Sequence, residues 1–426
     1  MRIRALDAPR LLLISVSALL LVTCQSVPRV AQTDAREAAG GSSLVSGNKV
    51  TLLRDGPQTI AAMKDAIRGA RDHINVETFI FRDDEVVRPL ADLLLRKQAE
   101  GVQVNLIYDS VGAAHTPGAF FDRLRAGGVG VLEFNPVNPF ERLESGERTD
   151  GLTIDNRDHR KLMVVDGRIG FTGGINFHRE YSNSSSAVIF DKDRKEPRYW
   201  RDAHVRIEGP AVAEMQKAFV DMWNRHSPLP LPPRQYFPEL NAVGTDRVRI
   251  SLGSPHLDVS PVYAAYIDAI RHAHRTVHLT HAYLVLTDEL RHVLEAAAHR
   301  GVEVTLILPG FSDFWMPRYA GRYSYGDLLS SGVKIYERQG AMLHAKVGVV
   351  DGEWSTVGSS NLDFRSAVHD AKVNAIIVGP DFGLQMEEMF RFDLEHSQEI
   401  LLKDWEHRPV DERFREWFAQ LFKYWL

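Results

Sequence analysis

The sequence predicts an α/β protein: two tandem, similar α/β domains related by a pseudo-twofold axis and meeting at one shared site. Three observations carry that expectation. The stretch His159-Arg160-Lys161-Leu162-Met163-Val164-Val165-Asp166 returns as His344-Ala345-Lys346-Val347-Gly348-Val349-Val350-Asp351, and both read H-x-K-x4-D. Each copy leads into a small-residue turn ending in Asn, Gly173-Gly174-Ile175-Asn176 and Gly358-Ser359-Ser360-Asn361. The gap from His to Asn is the same, 176 − 159 = 17 and 361 − 344 = 17. Finally, GVQVNLIYD at 101–109 is echoed by GVEVTLILP at 301–309.

The chain opens on an address. Arg2, Arg4 and Arg10 precede an apolar run from Leu11 to Val22, followed by Thr23-Cys24. A basic start with a short apolar core is a secretory signal pattern, too short for a comfortable membrane span. Residues 1–24 are therefore expected to be a leader, with an uncleaved anchor as the alternative. Residues 25–48, rich in Ser, Gly, Ala and Gln, read as a flexible tether.

The first domain is expected over 49–227. Ile74–Phe81 has the residues of a strand, 85–100 the pattern of an amphipathic helix, and Val102–Asp109 a second strand. A helix near 118–126 and a strand at 129–134 continue the alternation, which points to βαβ units around a buried sheet. The Pro-rich segment at 228–240 reads as a linker, and 241–426 as the second domain. There Val277–Leu284, a helix at 288–300, the strand 301–309, a helical or loop stretch at 318–331 and the strand VKIYE repeat the order. Phe311, Phe314, Trp315, Met316 and Tyr319 lie between strand and helix and read as a membrane-facing lip. The chain closes on Phe414, Trp417, Phe418, Leu421, Phe422 and Trp425 at helical spacing. Burial of that face against the core is expected; an interfacial helix is the alternative.

Composition narrows the function. At 426 residues, 44% hydrophobic and 25% charged, the chain is an ordinary globular protein long enough for two domains. A net charge of −5 gives no global basic field to attract nucleic acid. The single cysteine, Cys24, rules out an intrachain disulfide and a Cys-rich metal site.

The duplicated motif carries the chemistry. Each copy looks like two short strands around Asp-Gly, a strong hairpin dipeptide. Residues two apart on a strand share a face, so His159 points with Lys161 and His344 with Lys346. An imidazole can act as nucleophile or proton carrier, while Lys and Asn hold anionic oxygens. That set suits attack on a phosphodiester. Asp166 and Asp351 complete the motifs but sit on the opposite strand face from their histidines, and read as fixing a turn or the backbone. Asn176 and Asn361 are read as phosphate ligands, with simple turn residues as the alternative.

These motifs resemble the phospholipase D superfamily, which pairs two H-x-K-x4-D sequences in one active site. Asn156–Lys161, Arg201–Pro210, Thr280–Tyr283 and Gly358–Asp363 narrow the resemblance to bacterial cardiolipin synthases. The resemblance implies an enzyme that joins two phosphatidylglycerols and releases glycerol, with no cofactor and no metal. One histidine, His159, would form a phosphohistidine; His344 would act as acid and then base. Lys161, Lys346, Asn176 and Asn361 would stabilise charge on the non-bridging oxygens. The same site with water as acceptor would be a phospholipase D hydrolase, and a nuclease of the superfamily is a further alternative. Where family members carry an N-x-E segment, this chain has Asp370-Ala371-Lys372-Val373-Asn374. Asp202 and Asp370 are the candidates to orient the histidines instead, with plain strand-end residues as the alternative. The resemblance also implies a phospholipid substrate, a membrane surface as partner, no nucleic acid, and action as a monomer. Leu21-Val22-Thr23-Cys24 is similar to a bacterial lipoprotein processing site, with Thr where Gly, Ala or Ser is usual. Lipidation of Cys24 and a place in the bacterial cell envelope are the expectations that follow.

Overall fold

In the computed structural model, residues 43–423 are described apart from 138–155, 184–198, 255–259, 313, 364–365 and 367–368. The leader with Cys24, most of the tether and Trp425 lie outside the described residues. The first half runs β1 (Val45–Leu53), α1 (Gly56–Gly69), β2 (His73–Thr78), α2 (Arg88–Ala99), β3 (Gln103–Asp109), α3 (Gly118–Ala126) and β4 (Gly130–Phe134). It continues through β5 (Lys161–Val165), β6 (Ile169–Gly173), a short 3₁₀ turn at Arg179–Tyr181, β7 (Trp200–Arg201), β8 (His204–Glu208) and α4 (Val212–His226). The second half repeats the plan as β9 (Asp246–Gly253), α5 (Pro261–Arg271), β10 (Thr276–His281), α6 (Asp288–His299) and β11 (Glu303–Pro309). Then come α7 (Trp315–Arg322), α8 (Tyr325–Ser330), β12 (Lys334–Arg338), β13 (Met342–Leu343), β14 (Lys346–Val350), β15 (Trp354–Gly358) and β16 (Lys372–Val378). The chain ends through α9 (Pro380–Glu395), β17 (Ser397–Ile400), α10 (Leu402–Glu406) and α11 (Val410–Gln420).

Fifteen of these strands form one sheet in the order β17-β12-β11-β10-β14-β15-β16-β9-β1-β8-β6-β5-β2-β3-β4. Outward from the centre, β1-β8-β6-β5-β2-β3-β4 matches β9-β16-β15-β14-β10-β11-β12, so the halves are copies related by a pseudo-twofold at the antiparallel β1–β9 pair. The expected tether ends earlier than its composition suggested. Val45 pairs with Val248 and Asn48 with Asp246, and the partner strand supplies the order that local sequence lacks. The Pro-rich segment lies against the first half: Gln235 donates its backbone N–H to Asp72 at 3.2 Å, and the Tyr236 ring stands 4.7 Å from that of His73.

Both faces of the sheet are covered, as parallel strands require. On β5, Leu162 and Val164 join a core cluster that spans the halves and takes in Met215 and Phe219 of α4 and Met386 and Phe390 of α9. Met163 and Val165 point the other way, into the cluster under α1, α2 and α3. The corresponding cluster of the second half lies under α5, α6 and α8.

Asp166 and Asp351 lie at the hairpin turns with φ of 52° and 55°, each followed by a glycine also at positive φ, 62° for Gly167 and 66° for Gly352. That is the backbone a tight primed turn demands. Asp166 accepts the backbone N–H groups of Arg71, Asp72 and His73. Asp351 accepts those of His274, Arg275 and Thr276. Each ties its hairpin to the start of the neighbouring parallel strand, roughly 16 Å along the strand from the motif lysine.

Two expectations are corrected at the C-terminal side. Trp315, Met316 and Tyr319 belong to a helix, α7, rather than to a loop. The terminal helix does not bury its aromatics: Glu416 and Ala419 face inward, while Phe414, Trp417, Phe418, Leu421 and Phe422 are exposed. The cause is polar. Glu416 is drawn in by Arg322 at 3.4 Å and Arg408 at 2.8 Å, and that fixes which face of the helix points out.

Candidate active site

The parallel strands set the site at one edge of the sheet. Lys161 stands opposite Thr78, the last residue of β2, and Lys346 opposite His281, the last residue of β10. Both motifs therefore open at the carboxyl ends of parallel strands, where α/β sheets place their ligands.

In the first motif, the Lys161 ammonium donates to the His159 carbonyl oxygen at 2.8 Å and lies 3.2 Å from its ring Nδ1. The His159 ring packs at 4.7 Å on Phe79, and its backbone N–H donates to Ala371 O at 3.0 Å. Burial and then the charges of Lys161, Lys372, Lys346 and His344 hold the His159 imidazole well below its ordinary pKa. Lys161 is itself pushed down by burial, then by Lys372 and Lys346.

In the second motif, Lys346 donates to the His344 carbonyl oxygen. His344 Nδ1 sits 2.7 Å from Asp202 Oδ2, a carboxylate from the other half, with the Tyr181 hydroxyl 3.2 Å from the same nitrogen. A proton on Nδ1 facing that carboxylate leaves the lone pair on Nε2. Burial and then Lys346 lower the His344 pKa to about 4, against the raising pull of Asp202.

The two motifs form one site. Lys346 and His344 act on His159, Lys161 acts on His344, and direct contacts cross between the halves at Asp202 and Tyr181. Asn176 extends the link: it donates to the Tyr181 hydroxyl at 3.1 Å and accepts the Ile80 N–H at 3.2 Å. Asn361 is half-buried in the second turn, and its buried Oδ1 has no hydrogen-bond partner among the described residues.

Strand register corrects the pairing of the two aspartates. Gly173 of β6 stands opposite His204, and Gly358 of β15 opposite Asn374. Counting back two residues, the counterpart of Asp202 is Lys372. The backbone agrees, since His344 N–H donates to Arg201 O as His159 N–H donates to Ala371 O. Asp370 lies further out and pairs with Lys372 Nζ at 3.1 Å. The neighbouring turns differ to match. A side chain on Gly174 would collide with the Asp202 carboxylate, while its counterpart Ser359 accepts the Val373 N–H at 3.0 Å.

No role at the site was read from the sequence for Tyr181 or Arg201. Arg201 binds Asp393 of α9 through two hydrogen bonds of 2.7 and 2.8 Å, which anchors the segment carrying Asp202. Neither residue lies in a repeated motif. The pairing of Asp202 with Lys372 could not be counted from sequence either, because 204 − 173 = 31 residues separate the matched positions in one half and 374 − 358 = 16 in the other.

A family model described as cardiolipin synthase, phospholipase D-like domain, matches residues 63–223 and 266–394. Cardiolipin synthase 1 of Staphylococcus epidermidis is 31% identical over 381 residues, 89% of this chain and 74% of that protein. The cardiolipin synthase of Geobacillus thermodenitrificans is 32% identical over 377 residues, 88% of this chain and 72% of that one. Among solved structures, the phosphatidylserine synthase of Haemophilus influenzae shares the fold with a TM-score of 0.61 at 14% identity, covering 88% of this chain and 95% of that one. With both motifs intact at one sheet edge, the chain belongs to the cardiolipin synthase family of phospholipase D-like proteins.

Proposed function

We propose that this protein is a cardiolipin synthase: it joins two phosphatidylglycerols and releases glycerol through a phosphohistidine. The observation that carries the assignment of roles is the unequal setting of the two histidines. His159, buried and also crowded by ammonium groups, stays neutral and attacks phosphorus. The P–O bond to the first glycerol breaks, and His344 protonates the departing oxygen. His344, then neutral, takes the proton of a hydroxyl on the second lipid. That oxygen attacks phosphorus, the P–N bond breaks, and His159 is restored. One phosphodiester replaces another, so no external energy source is required.

Asp202 orients His344 and favours its charged form, and the bound phosphodiester anion works in the same direction against the depressed pKa. Lys161 and Lys346 hold the non-bridging oxygens, where preorganised charge is worth several kcal/mol. Asn361 adds a carboxamide to that cradle. Asn176 acts mainly through Tyr181, because both ends of its carboxamide already bond within the protein.

We also propose a place in the bacterial cell envelope, reached through a lipidated Cys24 or an uncleaved anchor, which the basic, then apolar pattern of residues 1–24 supports. Cys24→Ala, followed by membrane fractionation and N-terminal mass analysis, separates those routes. The test of function is purified protein with phosphatidylglycerol vesicles and analysis of the lipids formed. Cardiolipin plus glycerol is expected. Phosphatidic acid would make water the acceptor, and unchanged lipid would overturn the reading.

A further inference from the structure

The outward face of α11 carries a row of apolar side chains, interrupted near its start by the exposed Asp411. Val410, Phe414, Trp417, Phe418, Leu421 and Phe422 fall on one side at helical spacing, with Val410 79%, Phe414 60%, Trp417 50% and Leu421 59% exposed. The rings run in a continuous row, Phe414–Phe418 at 6.4 Å and Phe418–Phe422 at 5.3 Å. Arg413 and Arg415, one residue either side of Phe414, lie at about 100° to its left and right and border the row, Arg415 also pairing with Asp411 at 3.5 Å. The inward face is fixed by the Glu416 ion pairs and by Ala419 packed with Val285 and Ala320, so rotation of the helix to hide its aromatics would strand a buried carboxylate.

The position of this face points to its partner. Helix α11 packs on α7, where Arg415 donates to the Tyr319 hydroxyl at 3.2 Å and Trp315 lies 6.1 Å from Tyr319. Helix α7 begins six residues after Pro309, which ends β11 two positions beyond the pair Thr280–Ile307. That is the sheet edge at which Lys346 stands opposite His281, so the exposed Phe314 and Trp315, at 49% and 47%, lie on the side where the active site opens. The match to the family model ends at residue 394, before α11 begins. Tryptophan and phenylalanine bordered by arginine are what a bilayer interface selects: rings at headgroup depth and guanidinium groups among anionic headgroups.

We infer that α11, with Phe314 and Trp315 of the adjoining segment, is an interfacial docking face that seats the protein on an anionic phospholipid surface with its active site toward the headgroups. This rests on a bilayer lipid being the substrate, but its test does not depend on turnover. An environment-sensitive dye is placed on Phe418→Cys in the full chain carrying Cys24→Ser, with Leu384→Cys, 63% exposed on α9, as the control. On phosphatidylglycerol vesicles the dye at 418 should shift to the blue and be quenched by lipid brominated along its chains, while the dye at 384 should not. A dye at 418 that stays in water while the protein sediments with vesicles overturns the inference. So does one already shielded without lipid, which would mean cover by residues 1–42, or one that shifts only as protein concentration rises, which would mean a second copy. In the activity arm, Phe414→Asp with Trp417→Asp should lower turnover on vesicles about tenfold, and turnover on dispersed short-chain phosphatidylglycerol less than twofold. Equal losses on both would also overturn it.

Discussion

His159 and His344 occupy matching places in the two halves, both buried beside the motif lysines, yet His344 is also braced by a carboxylate where His159 feels a further lysine. The difference comes down to a single register position. Asp202 reaches from the first half to His344, while Lys372 stands at the same position facing His159. A nucleophile and a proton carrier need opposite things from their surroundings. The attacking imidazole must be unprotonated, and burial followed by nearby cations favours that form. The acid must accept and surrender a proton with the ring held in one tautomer, which a carboxylate provides. Two near-copies of a motif thus become two different tools through their neighbours rather than through their own residues.

The largest effect expected from breaking this comparison is at the histidines themselves. His159→Ala should abolish phosphoenzyme and turnover, a loss of roughly 10³-fold or more. His344→Ala should lose turnover comparably, but should still trap a phosphoenzyme from a substrate with an activated leaving group. Rapid-quench labelling distinguishes the two, and the reverse pattern would exchange the roles. Next comes Asp202→Asn, for which about 10–100-fold lower kcat is expected with KM little changed, since only orientation and charge on His344 are lost.

A smaller and more diagnostic effect belongs to Lys372. Its charge helps hold the His159 pKa down, so the neutral nucleophile persists into acid. Lys372→Glu removes that push and adds an opposite one, so the pKa must rise and activity must be lost at higher pH than in the parent. The acid limb of the pH profile for phosphoenzyme formation should therefore move upward, and Lys372→Met should move it less in the same direction. An unmoved limb would mean that Lys372 is only structural. Least in catalysis are Asp166→Ala and Asp351→Ala. Each strips three backbone N–H groups of their acceptor, so each should cost about 1–3 kcal/mol of stability by denaturant unfolding, with similar losses in both halves. The aspartates do the same work twice, and the histidines do not.

Much of this was legible in the sequence because a repeat constrains itself. The strands around Asp166-Gly167 and Asp351-Gly352 and the βα alternation follow from periodicity and from two motifs of equal spacing, and the sharing of a site from the resemblance those motifs carry. Other features depend on long-range pairing. The Val45–Asn48 segment becomes a strand only by pairing with β9, some two hundred residues away. Asp370 looked like the partner of Asp202 because both open similar segments, but unequal loops hide the register that matches Asp202 with Lys372. The terminal helix misled for a different reason: its aromatic period is real, yet a buried glutamate rather than hydrophobicity chooses the inward face.

The central β1–β9 pair has a consequence for ancestry. Two identical half-chains could close on themselves through that antiparallel edge as a symmetric dimer, since a twofold joins like to like. In such a dimer any residue facing one histidine must also face the other, so both would hold a carboxylate or both a lysine. Only once the copies are fused in one chain can a single mutation alter one side alone. The Asp202–Lys372 difference is therefore a division of labour that duplication makes possible and symmetry forbids.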